Sequence, residues 1–119
     1  MLSILCFSFS KVAIVTGGTR GIGAAISKQL ARDGHDLLLT YNSDGEAADI
    51  HATRLELAFQ RKVVCVRGDL SQSKARSAVF EAYDRHFHGE VLVAAVHNAG
   101  QYIGVTSENA ENLKTGSYK

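Results

Sequence analysis

Glycines at positions 17, 21 and 23, directly behind the apolar run Val12-Ala13-Ile14-Val15, constrain this chain more than any other feature. Within Thr16-Gly17-Gly18-Thr19-Arg20-Gly21-Ile22-Gly23 they remove Cβ atoms where a strand must turn sharply, where backbone must approach a ligand closely, and where a new helix must pack against the strand it left. The residues that follow keep helical spacing. Ile22, Ala25, Ile26, Gln29 and Leu30 form an amphipathic face with one polar member, Asp33-Gly34 supplies a stop, and Asp36 to Tyr41 reads as a second strand. A strand, a glycine turn, a helix and a second strand make a unit whose free helix-start N–H groups can receive an anion such as a pyrophosphate.

The same alternation runs on. We expect strands over 12–16, 36–41, 62–67 and 91–97, and helices over 22–33, 44–61 and 71–88. In the second helix Ala48, Ala52, Leu55 and Phe59 share a face, and in the third Ala75, Val79, Ala82 and Tyr83 do, as core packing requires. The expected fold is α/β: a Rossmann-like, doubly wound parallel sheet in three αβα layers. We divide the chain into a 1–10 extension, a dinucleotide-binding domain over 11–100 and a polar tail over 101–119. The extension lacks the basic region that opens a signal peptide, so it reads as a disordered lead or an extra strand-like piece.

The spacing Gly17-x-x-x-Gly21-x-Gly23 resembles the T-G-x-x-x-G-x-G fingerprint of the short-chain dehydrogenase/reductase family. Two further landmarks agree with it. Asp69-Leu70 follows the third strand, where that family sets an acidic residue near the adenine ring. Asn98-Ala99-Gly100 follows the fourth and matches three of the four residues of the N-N-A-G motif, with His97 in the first place. The resemblance spans roughly Lys11 to Gly100. It implies strand order 3-2-1-4, hydride transfer between a nicotinamide dinucleotide and a small carbonyl or alcohol substrate, a cytoplasmic setting and homo-oligomers. It also implies cofactor contacts from Gly17, Thr19, Gly21, Ile22, Gly23, Asp69, Leu70, Asn98, Ala99 and Gly100.

The second strand bears on which dinucleotide. A site for NAD(H) usually carries Asp or Glu at the tip of that strand, about 20 residues beyond the glycine turn, to accept from the ribose 2′-hydroxyl. Here the strand ends Leu39-Thr40-Tyr41-Asn42-Ser43. Asp36 stands at the wrong end, while Asp44 and Glu46 suit the start of the next helix. Arg20 can instead meet a 2′-phosphate, with Asn42 and Ser43 donating hydrogen bonds. NADP(H) is favoured, with NAD(H) as the alternative.

Catalytic groups are not legible. The family works with a Tyr-x-x-x-Lys pair, the tyrosine as acid/base and the lysine lowering its pKa. Four positions after Tyr41, Tyr83 and Tyr102 stand Gly45, Phe87 and Thr106, and Tyr118 is the penultimate residue. No residue is carried over as catalytic. The all-apolar run Val91 to Val96 would also form an open edge in the 3-2-1-4 order, although such a run belongs inside a parallel sheet. Both points lead us to expect the cofactor-binding half of a longer enzyme. The alternatives are a nucleotide-binding or regulatory module without chemistry and, more remotely, a methyltransferase on a related sheet.

Composition excludes other classes. Thirteen basic and 12 acidic residues give a net charge of +1, so no electrostatic footprint for nucleic acid or an anionic membrane is present. No apolar run approaches the ~20 residues that span a bilayer. Cys6 and Cys65 form no framework of bridges, and Cys65 reads as an apolar filler in a strand. His86 and His88 suit a helix end better than a metal site.

Overall fold

The computed structural model describes residues 10–99. The expected extension (apart from Ser10), the tail over 101–119 and the candidate Gly100 lie outside the described residues. Seven elements alternate without exception: β1 (Lys11–Thr16), α1 (Gly21–Arg32), β2 (His35–Tyr41), α2 (Gly45–Phe59), β3 (Val63–Arg67), α3 (Ser73–Phe87) and β4 (Val91–His97). All strand pairs are parallel, and the order is β3-β2-β1-β4. The Rossmann-like fold and its strand order are therefore as the motifs implied.

Continuous apolar strands follow from a sheet covered on both faces. Successive side chains of a strand point to opposite faces. Ala13 and Val15 of β1 join Leu37, Leu39 and Val63 in one core beneath α1 and α2, closed by Ala31 and Leu55. Val12 and Ile14 join Leu38 in a second core beneath α3, closed by Val79 and Phe87. Phe87 is fully buried and tilts against Tyr83, with ring centroids 5.8 Å apart. The expected faces of α2 and α3 are the ones the structure buries, with Phe87 added.

The face expected of α1 is not. Its buried residues are Gly23, Ser27 and Ala31, with Ile26 and Leu30 partly covered, while Ile22 is 74% exposed and Ala25 and Gln29 face outward. The small residues face inward because this helix lies close against the glycine turn, where a larger side chain has no room. Helix ends also shifted. α2 stops at Phe59 because Gln60 adopts a left-handed cap (φ 54°), two residues short of the expected end. α3 begins at Ser73, after a turn in which Asp69 Oδ1 accepts the Ser71 N–H at 3.0 Å and the Asp69 carbonyl accepts Gln72 N–H.

Among the described residues β4 is the edge strand, beside β1. Val91, Leu92 and Val93 are 45–47% exposed, and the register slips between Val12 and Ala13 so that Val93 is skipped. Val12 pairs with Leu92 and Ala13 with Ala94. This extra residue is a bulge, a common feature at sheet edges.

Candidate functional site

The carboxyl ends of the four strands open onto a cleft of about 620 Å³, within the size range of small-molecule sites. Its position is set by the strand order. β2 and β3 lie on one side of β1 and β4 on the other, so chain connections diverge there and leave a crevice.

The glycine turn forms one wall and is pinned by two threonines. Thr16 Oγ1, at the tip of β1, accepts the N–H groups of Asn98 and Ala99 at 3.0 Å each and donates to the Val96 carbonyl at 3.3 Å. That uses the full capacity of a hydroxyl, one donated and two accepted bonds. Thr40 Oγ1, near the tip of β2, accepts the Gly17 N–H at 3.1 Å, and the Thr40 carbonyl accepts Gly18 N–H at 3.2 Å. The turn is thereby tied to both neighbouring strands. Asn98 completes the attachment by donating from Nδ2 to the Gly17 carbonyl at 3.2 Å.

Each glycine in the fingerprint has a distinct physical reason. Gly17 is left-handed (φ +64°), and a Cβ there would press on Ala99 Cα at 3.1 Å. A Cβ at Gly23 would overlap the Gly17 carbonyl oxygen, so this glycine is what lets α1 begin against the turn. Gly21 is also left-handed (φ +54°), but nothing lies within 4 Å of a Cβ placed on it. Its backbone therefore borders open space.

That open space lies at the start of α1. Arg20 is the N-cap residue, in extended conformation, and its side chain makes no capping bond. The first turn carries no acidic residue, and the earliest helical bond is from Ala24 N–H to the Arg20 carbonyl at 3.1 Å. The helix start thus keeps its free N–H groups and partial positive charge for an anion, reinforced by the exposed Arg20 side chain. By contrast, α2 is capped by Asp44, whose Oδ1 accepts Ala47 N–H at 2.9 Å.

The opposite wall comes from the tips of β2 and β3. Asn42, Ser43 and Asp44 line it beside Gly68, Asp69, Leu70 and Ser71. Asp69 is exposed, and the bonds it accepts from the Ser71 N–H and hydroxyl hold its carboxyl below the usual carboxylate range. Asp36 lies at the far end of β2, where Oδ1 accepts Lys62 N–H at 2.9 Å.

Of the residues expected to form the site, Gly17, Thr19, Arg20, Asn42, Ser43, Asp69, Leu70, Asn98 and Ala99 line this one cleft. Gly21, Ile22 and Gly23 do not line it. They form the first turn of α1, with the Ile22 side chain turned to solvent. Thr40, Tyr41, Asp44, Gly68 and Ser71 were missed as lining residues. The signal for all but Thr40 was adjacency: Tyr41, Asp44, Gly68 and Ser71 each neighbour a residue already singled out.

A buried network lies behind the turn. Ser27 Oγ, fully buried, stands 3.0 Å from the Gly18 carbonyl and 2.8 Å from His51 Nε2 of α2. Burial, and then the neighbouring Arg54 charge, lower the pKa of His51. Cys65, half-buried in β3, has its thiol pushed up to about 11, first by burial and then by Asp49 and Glu56, so it stays protonated. Among the described residues no group of three or more His, Cys, Asp or Glu side chains is placed to hold a metal ion, and no helix is long and apolar enough to cross a membrane.

Comparison with known proteins agrees with this geometry. An uncharacterised oxidoreductase of Methylorubrum extorquens is 40% identical over 93 residues, covering 77% of this chain and 36% of that protein. The L-xylulose reductase of Aspergillus niger is 40% identical over 80 residues, covering 65% of this chain and 27% of the reductase. Among solved structures, L-sorbose reductase from Gluconobacter frateurii, complexed with NADPH and L-sorbose, superposes with a TM-score of 0.76 at 29% identity, covering 89% of this chain and 39% of that one. The chain thus spans well under half the length of these relatives. The family model described as short chain dehydrogenase matches residues 11–116, and the chain belongs to that family.

Proposed function

We propose that this chain binds NADP(H) in the cleft at the carboxyl edge of its sheet, as the cofactor-binding part of an oxidoreductase acting on a small carbonyl or alcohol. The observation that carries the reading is Arg20, the N-cap of the otherwise uncapped α1, lining one cleft together with Asn42 and Ser43. A dinucleotide fits this donor set. The free N–H groups of the first turn suit a pyrophosphate, the open space at Gly21 admits close approach, and Asp69 and Leu70, which line the cleft, stand where the family resemblance would put the adenine. When bound, such a cofactor supplies or accepts a hydride.

The preference for the 2′-phosphorylated form rests on charge. No carboxylate stands at Tyr41 or Asn42 to accept from a ribose 2′-hydroxyl, and one oxygen of Asp44 is committed to capping α2. Arg20 is the cation that lines the cleft. The similarity to L-sorbose reductase, solved with NADPH, supports the same choice.

Isothermal titration of the 119-residue chain with NADPH and NADH tests this reading. NADPH should bind the more tightly, and Arg20→Ala should weaken it about tenfold while leaving NADH nearly unchanged, the effect of one exposed charge-assisted contact of ~1.4 kcal/mol. Unchanged discrimination in Arg20→Ala would remove the basis for NADP(H). Four positions after Tyr41, Tyr83 and Tyr102 stand Gly45, Phe87 and Thr106 in place of a lysine, which favours binding without turnover for these residues alone. Carbonyl reduction by the chain by itself would contradict that reading.

A further inference from the structure

The wall of the cleft opposite Arg20 has a cation behind it that the family fingerprint does not mark. Arg67 is the last residue of β3, and it pairs in register with Tyr41 at the tip of β2. Its Nε donates to the Asn42 carbonyl oxygen at 3.2 Å, and one residue on, Gly68 N–H donates to the Tyr41 carbonyl at 2.9 Å. The two bonds fasten the β2–α2 connection to β3. Arg67 is not itself among the residues that line the cleft, whereas Asn42, Ser43 and Gly68 are.

Peptide geometry turns this bond into a statement about ligands. In a trans peptide the C=O of one residue and the N–H of the next point in opposite directions. With the Asn42 carbonyl drawn to the guanidinium, the Ser43 N–H is directed away from Arg67, and it meets no protein acceptor among the described residues. The arrangement neutralises the partial negative charge of a carbonyl oxygen at the cleft wall. It also frees a backbone donor beside the Ser43 hydroxyl and adds a positive charge within one peptide of both. A neutral ribose hydroxyl gains little from this; a phosphate dianion gains from all three.

We infer that Arg67 is a positioning residue for cofactor choice, holding the Asn42–Ser43 peptide so that Ser43 donates to the 2′-phosphate of NADP(H), with its own charge reinforcing that of Arg20 from the other side. The inference rests on the nucleotide reading above and extends it to a residue outside the cleft.

Titration of Arg67→Ala and Arg67→Lys with NADPH and NADH tests it, with circular dichroism confirming that each variant is folded. Arg67→Ala should raise the Kd for NADPH about tenfold and that for NADH less than about twofold, the difference expected if Arg67 acts through the Ser43 donor and its own charge on the phosphate alone. Arg67→Lys keeps the charge but not the fork, and should recover part of the discrimination. The NADPH loss should shrink as salt rises, because the charges are exposed and screened. Equal weakening of both cofactors would show a merely structural clasp and overturn the inference, as would no change in either. Failure of the unaltered chain to bind either nucleotide would overturn the nucleotide reading and this one together.

Discussion

Replacing Gly23 with alanine should be more damaging to stability than replacing Gly21, although both belong to one fingerprint. A methyl group at Gly23 would overlap the Gly17 carbonyl oxygen and stand 2.6 Å from Asn98 Nδ2, so either the turn or the start of α1 must move. Overpacking of this kind costs about 1–3 kcal/mol. Loss of the Asn98 bond to Gly17 adds about 1 kcal/mol. Alanine returns up to ~1 kcal/mol as the better helix former. The net is a destabilisation of about 1–3 kcal/mol, a sizeable share of the stability a small domain possesses. At Gly21 the space is open and only the left-handed backbone (φ +54°) resists, at about 1–2 kcal/mol. Urea unfolding followed by far-ultraviolet circular dichroism gives both stabilities, and calorimetry gives the affinity for NADPH. Gly23→Ala should lower the unfolding midpoint markedly, whereas Gly21→Ala should lower it less yet still lose affinity, because its methyl group enters the space assigned to the ligand. A Gly23→Ala variant as stable as the parent, or less affected than Gly21→Ala, would refute the reasoning.

Two further outcomes follow from the pinning of the turn. Thr16→Val removes the hydroxyl that accepts the Asn98 and Ala99 N–H groups and should cost about 1–2 kcal/mol in urea unfolding, while Thr16→Ser should retain most of that stability. His51 has its pKa lowered in the folded chain, so protons bind the unfolded state more readily. Its contribution is therefore intact above the ordinary value of 6.5 and is lost as pH falls below it. His51→Gln should flatten the pH dependence of unfolding as pH falls below 6.5; an unaltered slope would show that His51 is not the titrating element.

Much of this protein was readable without coordinates because the dominant signals are local. A continuous apolar run of four residues, glycines at fixed offsets, and Asp33-Gly34 after a helical period each report a backbone state that short-range sterics impose. Parallel strands separated by helices then leave few arrangements, since such crossovers are almost always right-handed. What local signals could not carry was which side of α1 would be buried. Hydrophobicity pointed to Ile22 and Ala25 as well as to Ile26 and Leu30, but the helix approaches the turn so closely that Gly23, Ser27 and Ala31 face inward and only Ile26 and Leu30 of that face are partly covered. The Phe59 end of α2 was similarly hidden, because no sequence rule placed Gln60 in a left-handed cap.

The sequence by itself determined the element order, the class of fold and most of the residues at the cleft, because these follow from periodicity and from glycine spacing within short windows. Only the tertiary structure decided how those residues are held. Thr16 reaches across to Asn98 and Ala99, Thr40 to Gly17, Ser27 to His51, and Arg67 to Asn42, over separations of 23 to 83 positions. Hydrogen bonds of that range leave no trace in a local pattern. They exist because β2 lies between β1 and β3, β4 lies on the other side of β1, and α1 packs beside α2, which brings distant segments together.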